Sequence, residues 1–434
     1  MATRALRGRI LSFKADPAEV GEAASHTYIE DGIVLVEDGR IAAVGDAALM
    51  LGSLPEGTPV DDHAGHLILP GMIDPHIHLP QTQAIASHGT QLLDWLQKYI
   101  FVEEQRFADP AHAARIASFF LDELLRNGTT TAVVYGSVHG ESVDALFAEA
   151  ERRRTRMIAG KVMMDRGAPA ALLDTAETGY RESEALIGRW HDRGRLQYAI
   201  SPRFAVTSSD AQLEAAGALL AAHPGCYLQT HLSENEDEIA TVRRLFPWAT
   251  SYTHVYDHFG LLGPRSLFGH CIHLDEGERE RLSASRSIAA LCPTSNLFLG
   301  SGLFDLAALR GGGRPVRLAL ATDIGGGTSY SMLRTAAEAY KVVQLRGQRW
   351  SALEAFYAIT LGNARALGLE AAIGSLEPGT EADIVVLDAR ATPAMAHRME
   401  TARELAEELF VLLIMGDERV VRATYVMGDR VARA

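Results

Sequence analysis

From residue 67 onward, short runs rich in Val, Ile, Leu and Thr alternate with longer stretches of helical periodicity. A strand, a helix and a second strand return the chain to one parallel edge, so repeated βα units build either an open wound sheet or a closed barrel. The strand candidates are His66 to Ile77, Thr129 to Tyr135, Met157 to Met164, Leu196 to Ser201, Cys226 to Thr230, Ser266 to Ile272, Ser287 to Leu291 and Arg317 to Thr322. Eight strands with eight crossovers suit a (β/α)8 barrel better than an open sheet. The intervening helices have readable ends. Asp109 can cap a helix opening with Pro110, and Asn127-Gly128 can end it after Arg126.

The two ends of the chain read differently. Residues 8 to 46 hold period-2 apolar segments around Glu30-Asp31-Gly32 and Glu37-Asp38-Gly39, which are hairpin signals without crossover helices. Glu381 to Asp388 and Val420 to Val431, around Met427-Gly428-Asp429, repeat that style on either side of a helix near Arg398 to Met415. The expected architecture is an α/β protein in which residues 67–369 form a (β/α)8 TIM barrel. Residues 1–66 and 370–434 together form a small β-sandwich domain. The 434 residues and the 47% hydrophobic and 22% charged content suit such a folded pair of domains.

Fifty-five acidic residues against 41 basic give a formal charge of -14 with no Lys/Arg-rich block, which argues against a nucleic-acid partner. Met1 to Lys14 carries charges and no apolar leader core, and no window approaches the roughly 18 apolar residues of a membrane span. A cytoplasmic protein without a membrane partner is expected. Cys226, Cys271 and Cys292 each lie in an apolar run and form no C-x-x-C pair, so they read as buried free thiols.

The chemistry gathers at strand ends. In Asp74-Pro75-His76-Ile77-His78, two histidines at i and i+2 of a strand face one side, and a barrel strand would aim both into the C-terminal mouth where such active sites lie. By itself H-x-H says little, since a structural pair is at least as common. His231 ends the fifth strand with Glu234 three residues on, His270 ends the sixth, and Asp323 closes the eighth. Each alone reads as a core histidine or a helix cap. Together they place several metal-binding or proton-transferring groups on one rim.

PGMIDPHIH, HLSE, the histidine of GHCI and the aspartate of ATDIGGGTSYSM resemble the amidohydrolase superfamily of metal-dependent hydrolases. More narrowly, HIHLPQ followed by QLLDWLQKYIF, GKVMMDRGAP, SPRF, HLSENEDEI, SYTHVYDHFGLL, CPTSNLFLGSG and TDIGGGTSYSML resemble the guanine deaminase family. Pro75 stands where that family often has Thr, and Phe101-Val102-Glu103 lacks the proline of its FP-x-E. The resemblance implies His76, His78, His231 and Asp323 as ligands of one Zn2+ per chain, with Fe2+ as the other candidate ion, and a homodimer. Three imidazoles and a carboxylate agree with that chemistry. It implies hydrolytic deamination of guanine to xanthine and ammonia, with Glu234 as proton carrier and His270 and Asp323 orienting the attacking water. The alternative is an aminohydrolase of another fused aminopyrimidine, a pterin or 8-oxoguanine.

A planar purine needs an aromatic wall and a few matched polar groups. Gln81 and Arg203 can meet its edge and Phe204 its face, alongside His231, Glu234, His270 and Asp323. On residue type alone Arg203 serves equally as a structural salt bridge at the barrel rim. Leu92 and Trp95 read as wall of the pocket or as a dimer contact, while Asp94 and Glu103 carry no assigned role. Gly325-Gly326-Gly327 lacks the Lys-Ser/Thr of a phosphate loop, and the H-x-E with P-C-x-x-C signature of other base deaminases is absent. No lysine follows the fourth strand to bridge two metals; Lys161, inside the third, reads as the partner of a buried carboxylate.

Overall fold

The computed structural model describes residues 3–89 and 91–432; Thr90 and the outermost positions of the expected terminal domain, 1–2 and 433–434, lie outside the described residues. Eight parallel strands follow one another in sheet order as they do in sequence: Met72–His78, Thr129–Tyr135, Arg156–Gly160, Leu196–Pro202, Tyr227–Leu232, Ser266–His270, Ile288–Leu291 and Arg317–Leu320. Helices such as Pro110–Arg126 cover the outside. Its Asp109 carboxylate accepts from Ala111 N–H at 2.9 Å, and Asn127 ends it by donating to the Glu123 carbonyl.

The ring closes between its first and eighth strands without a regular ladder. Asp323 N–H donates to the His76 carbonyl at 2.9 Å and His78 N–H to the Ile324 carbonyl at 2.8 Å. Lower down, the Asn363 side chain fills the gap. Its Oδ1 accepts from Leu320 N–H at 2.9 Å, and its Nδ2 donates to the carbonyls of Leu320 and Ile73, each at 2.8 Å. Asp74 adds a third stitch, accepting from the amide and hydroxyl of Thr322. These bonds supply partners that a regular strand pairing would otherwise give.

The long apolar run His66 to Ile77 is two strands, not one. Val60–Pro70 belongs to a second sheet and Met72–His78 to the barrel. Between them Gly71 passes so close to the second barrel strand that a Cβ would lie 2.2 Å from Thr130 Oγ1. Both strands are buried at that point, so the hydrophobic pattern runs on across the boundary.

The second sheet has seven strands drawn from both ends of the chain, in the order Asp429–Arg430, Val421–Val426, Ile384–Leu387, Val60–Pro70, Thr3–Phe13, His26–Glu37, Arg40–Asp46. Val36 and Ile41 near one edge share a buried cluster with Tyr425 near the other, so the sheet folds over on itself as a sandwich. Asp38-Gly39 and Met427-Gly428 make its tight hairpins, all four residues at positive φ. The expected turn at Glu30-Asp31-Gly32 is absent: one strand continues through it with a shift of register against Thr3–Phe13, and a Cβ on Gly32 would meet Ile10 Cδ1 at 2.5 Å.

Barrel and sandwich meet through a buried ion cluster at the N-terminal ends of the third and fourth barrel strands. Arg156 donates to Glu381 at 2.6 Å, and Arg195 to Glu381 at 2.7 Å and to Asp383 at 2.5 Å. The three cysteines are free and buried.

Candidate active site

The mouth of the barrel collects every side chain expected there. His76 Nε2 and His78 Nε2 each lie 3.3 Å from Asp323 Oδ1, and His78 Nε2 lies 3.2 Å from His231 Nε2. Ring nitrogens thus face one another and a carboxylate across a space too small for side-chain hydrogen bonding to satisfy them; His76 Nε2 is buried without a hydrogen-bond partner. His231 Nδ1–H donates to the Arg203 carbonyl at 2.7 Å, which leaves the Nε2 lone pair pointing into the cluster. Burial, then the neighbouring histidines, hold His231 well below its usual range, and burial brings His78 down to about 3, so both rings are neutral. Burial alone would raise Asp323, but the imidazoles of His76 and His78 facing it outweigh burial and hold the carboxylate well below its ordinary value. Neutral imidazoles around an ionised carboxylate form a donor set for a divalent ion. His76, His231, His270 and Asp323 have ligand atoms all within 4.8 Å of one another; this group takes His270 where the expected set has His78, so His270 stands beside that set as a fifth donor.

Glu234 is 3% exposed, not the solvated start of the acidic helix that follows; Asn235 caps that helix. Its Oε2 lies 3.3 Å from His270 Nε2 and its Oε1 accepts from Ser301 Oγ at 3.2 Å. Burial, then the charge of Asp323, pushes Glu234 up to about 8. Behind it Glu238 accepts from the backbone N–H of Glu234 and of Asn235, which fixes the loop. His270 is oriented from its other side by Asn296 at 2.8 Å. Ser233, His270 and Asp323 all have positive φ (51°, 72° and 55°), although none is glycine, so strain of order 1–3 kcal/mol each is stored where the strands give way to the site.

Beside this cluster a cavity is lined by His78, Gln81, Arg203, Phe204, Glu234 and His270, with Leu92, Trp95 and Leu96. Of the two readings of Leu92 and Trp95, the wall of the cavity is the one the structure bears out. The backbone of the glycine turn presses against it: a Cβ on Gly325 would lie 2.8 Å from the Gln81 carbonyl, and one on Gly326 would lie 2.4 Å from Ser295 Oγ.

Two buried groups are not among the residues expected from the sequence. Glu104 is fully buried and both its oxygens accept from Arg203 Nη1 at 2.7 Å, so Arg203 lines the cavity and makes a salt bridge at once. Laid on Phe101, the spacing F-x-x-E reaches Glu104; Glu103 points outward to Arg106 at 2.6 Å. Ser301, in the glycine-rich loop, offered no signal beyond being a small polar residue among apolar ones. Asp94 is exposed. Lys161 does not lie inside the third strand but directly follows its end at Gly160; it is fully buried and donates to Asp174 at 2.7 Å, the carboxylate partner expected of it.

The chain belongs to the amidohydrolase family, whose pattern matches residues 67–431. It is 47% identical to guanine deaminase of Escherichia coli strain K12 over 98% of this chain and 97% of that one. The solved structure of E. coli guanine deaminase superposes with a TM-score of 0.94, at 46% identity and covering 100% of this chain and 99% of the other. Guanine deaminase from C. acetobutylicum, solved with guanine in its active site, superposes with a TM-score of 0.88 at 29% identity over 99% and 100% of the two chains.

Proposed function

We propose that the chain hydrolyses guanine to xanthine and ammonia. The observation that carries this is the meeting, around one cavity, of a buried histidine and aspartate cluster, the buried carboxyl of Glu234, and the polar side chains of Gln81 and Arg203. The full-length similarity to guanine deaminases supports the choice of substrate.

His76, His78, His231 and Asp323 are assigned as the ligands of one zinc ion. The neutral rings of His78 and His231 and the unpartnered His76 Nε2 fit such an ion. His270 is kept for hydrogen bonding because its Nε2 faces Glu234. Zinc held there supplies an acidified water and a Lewis acid. Glu234 takes one proton from the water that adds to C2 of guanine and passes it to a ring nitrogen; ionised again, it takes the second proton from the added oxygen and delivers it to the amine, which leaves as ammonia as C2 becomes a carbonyl. His270 and Asp323 orient the attacking oxygen and the tetrahedral carbon centre through hydrogen bonds. Gln81 and Arg203 hold the purine edge, and Phe204 covers the ring. Leu92, Trp95 and Leu96 exclude water. A single ion is supported by Lys161, which is committed to Asp174 and unable to bridge a metal pair.

The same reading divides the chain into a terminal domain, 1–66 with 370–434, and a catalytic barrel, 67–369. It places the enzyme in guanine catabolism in the cytoplasm as a homodimer, the last on family resemblance alone. Among the described residues no helix is long and apolar enough to cross a membrane. The test is ammonia release by the purified, zinc-loaded protein from guanine, adenine, cytosine, pterin and 8-oxoguanine. Guanine should be the best substrate by kcat/KM; a pterin or 8-oxoguanine turned over faster would replace it.

A further inference from the structure

The polar end of the cavity is governed by a residue that does not line it. We propose that Glu104 is a positioning and specificity residue that turns Arg203 and Gln81 into fixed hydrogen-bond donors, so that the slot selects a ring edge carrying a carbonyl oxygen. The inference rests on the guanine reading above.

Glu104 lies at the end of the short helix Phe101–Glu104, directly after a π-helical turn over Leu96–Ile100. A π turn inserts one residue into the helical ladder and so changes which side chain faces inward. Here Glu104 is turned into the protein and Glu103 toward solvent. Both Glu104 oxygens engage Nη1 of Arg203. The Arg203 guanidinium also sits 5.5 Å from the Phe101 ring centre, so one short segment holds it by charge and by a ring face. Among the described residues Nη2 and Nε of Arg203 have no protein acceptor, and those are the hydrogens left for a ligand.

Gln81 is fixed in the same way. Its Oε1 accepts from Gly325 N–H at 3.1 Å, and its Nε2 donates to Glu104 Oε1 at 3.4 Å. With the carbonyl end occupied, the amide presents its remaining N–H to the cavity. A glutamine could otherwise present either end. The end of the slot formed by Arg203 and Gln81 therefore presents N–H donors, and a ring edge with lone pairs, such as a carbonyl oxygen beside an unprotonated nitrogen, is what it matches. The Glu104 charge also balances a guanidinium that is only 3% exposed, so Arg203 is held ready before substrate arrives.

The test is a double-mutant cycle on the full-length, zinc-loaded enzyme with Glu104→Gln and Arg203→Ala. Glu104→Gln keeps size and one acceptor but loses the charge. Its kcat/KM for guanine should fall at least about 10-fold, mainly through KM. In the Arg203→Ala background the same change should cost less than about 2-fold, because Glu104 acts through Arg203. 2-Aminopurine, which has the same amine but no carbonyl, should lose less than about 3-fold of its inhibition of guanine turnover in Glu104→Gln. Equal losses for guanine and 2-aminopurine, a penalty that multiplies undiminished in the Arg203→Ala background, or a Glu104→Gln enzyme within 2-fold of wild type would each overturn the proposal. If the glutamine variant does not fold, Glu104→Asp is read in the same cycle. Wild-type turnover of guanine, measured first, tests the functional reading separately, since the cycle compares variants only with one another.

Discussion

The ion cluster between barrel and sandwich gives a stability prediction with a definite pH dependence. Glu381 accepts four hydrogen bonds, two from Arg156 (2.6 and 3.2 Å) and two from Arg195 (2.7 and 3.0 Å), and its side chain is 6% exposed. Breaking a buried pair by removing one partner costs about 3–5 kcal/mol. In Glu381→Gln, Arg195 keeps Asp383 and only Arg156 loses its carboxylate, so the lower end applies, about 3 kcal/mol at neutral pH. Burial alone would raise the Glu381 carboxyl, but the charges and hydrogen bonds of Arg195 and Arg156 outweigh it and hold it below the ordinary 4.5. A lowered carboxylate stabilises the fold fully above its unfolded value and loses that contribution as pH falls through the folded one. The difference between wild type and Glu381→Gln should therefore be constant between about pH 6 and pH 8 and shrink below about pH 4.5. Urea unfolding of both proteins across that range, with equal m-values, measures it. A loss under about 1 kcal/mol, or a difference that does not shrink in acid, would refute the idea that the cluster acts through the ionised Glu381.

Glu234→Gln should keep its zinc but lose about 10²–10⁴-fold in turnover, read by metal analysis beside steady-state kinetics; near-normal turnover would remove Glu234 from proton transfer. Ser301→Ala removes the hydroxyl that donates to Glu234 Oε1 and should lower kcat with KM little changed, whereas an unchanged kcat would make that bond incidental. Desalted enzyme should contain close to one equivalent of zinc, and a reproducible two with activity rising in proportion would contradict the mononuclear assignment. A chain lacking residues 1–60 should expose Ile68, Ile384 and Val386, which share a buried cluster with Leu6, Ile10, Val34 and Ile41, and aggregate; a soluble, active truncation would show that the barrel stands alone.

How much of this was legible depended on whether a residue's role is set by local pattern or by distant neighbours. His76 and His78 declare themselves because period-2 geometry puts both on one face of a strand. His231, Glu234, His270 and Asp323 follow once the strands are counted, since all sit where apolar runs stop. Glu104 is marked by the F-x-x-E spacing from Phe101, but which of the two adjacent glutamates faces inward is set by the π turn before them, and no propensity records that. Asn363 was hidden for a different reason: its hydrogen bonds reach Ile73 and Leu320, hundreds and tens of residues away, while its own surroundings read as ordinary helix. Gly32 misled because a glycine after Asp usually marks a turn, and here it marks the close passage of Ile10.

The seam between the first and eighth strands has a further consequence. A ring of strands is only as firm as its clasp, and this clasp is fastened by amide and carboxamide groups below and by two backbone bonds above. His76 and His78 stand on one side of it and Asp323 on the other, so an ion bound by all three is also a rivet through the joint. Stripping the metal should then do more than silence the chemistry. Amide hydrogens of residues 76–78 and 323–324 should begin to exchange with solvent, while those of strands on the far wall, such as Ile158 and Ala199, stay protected. Catalytic competence and closure of the ring would thus be lost together.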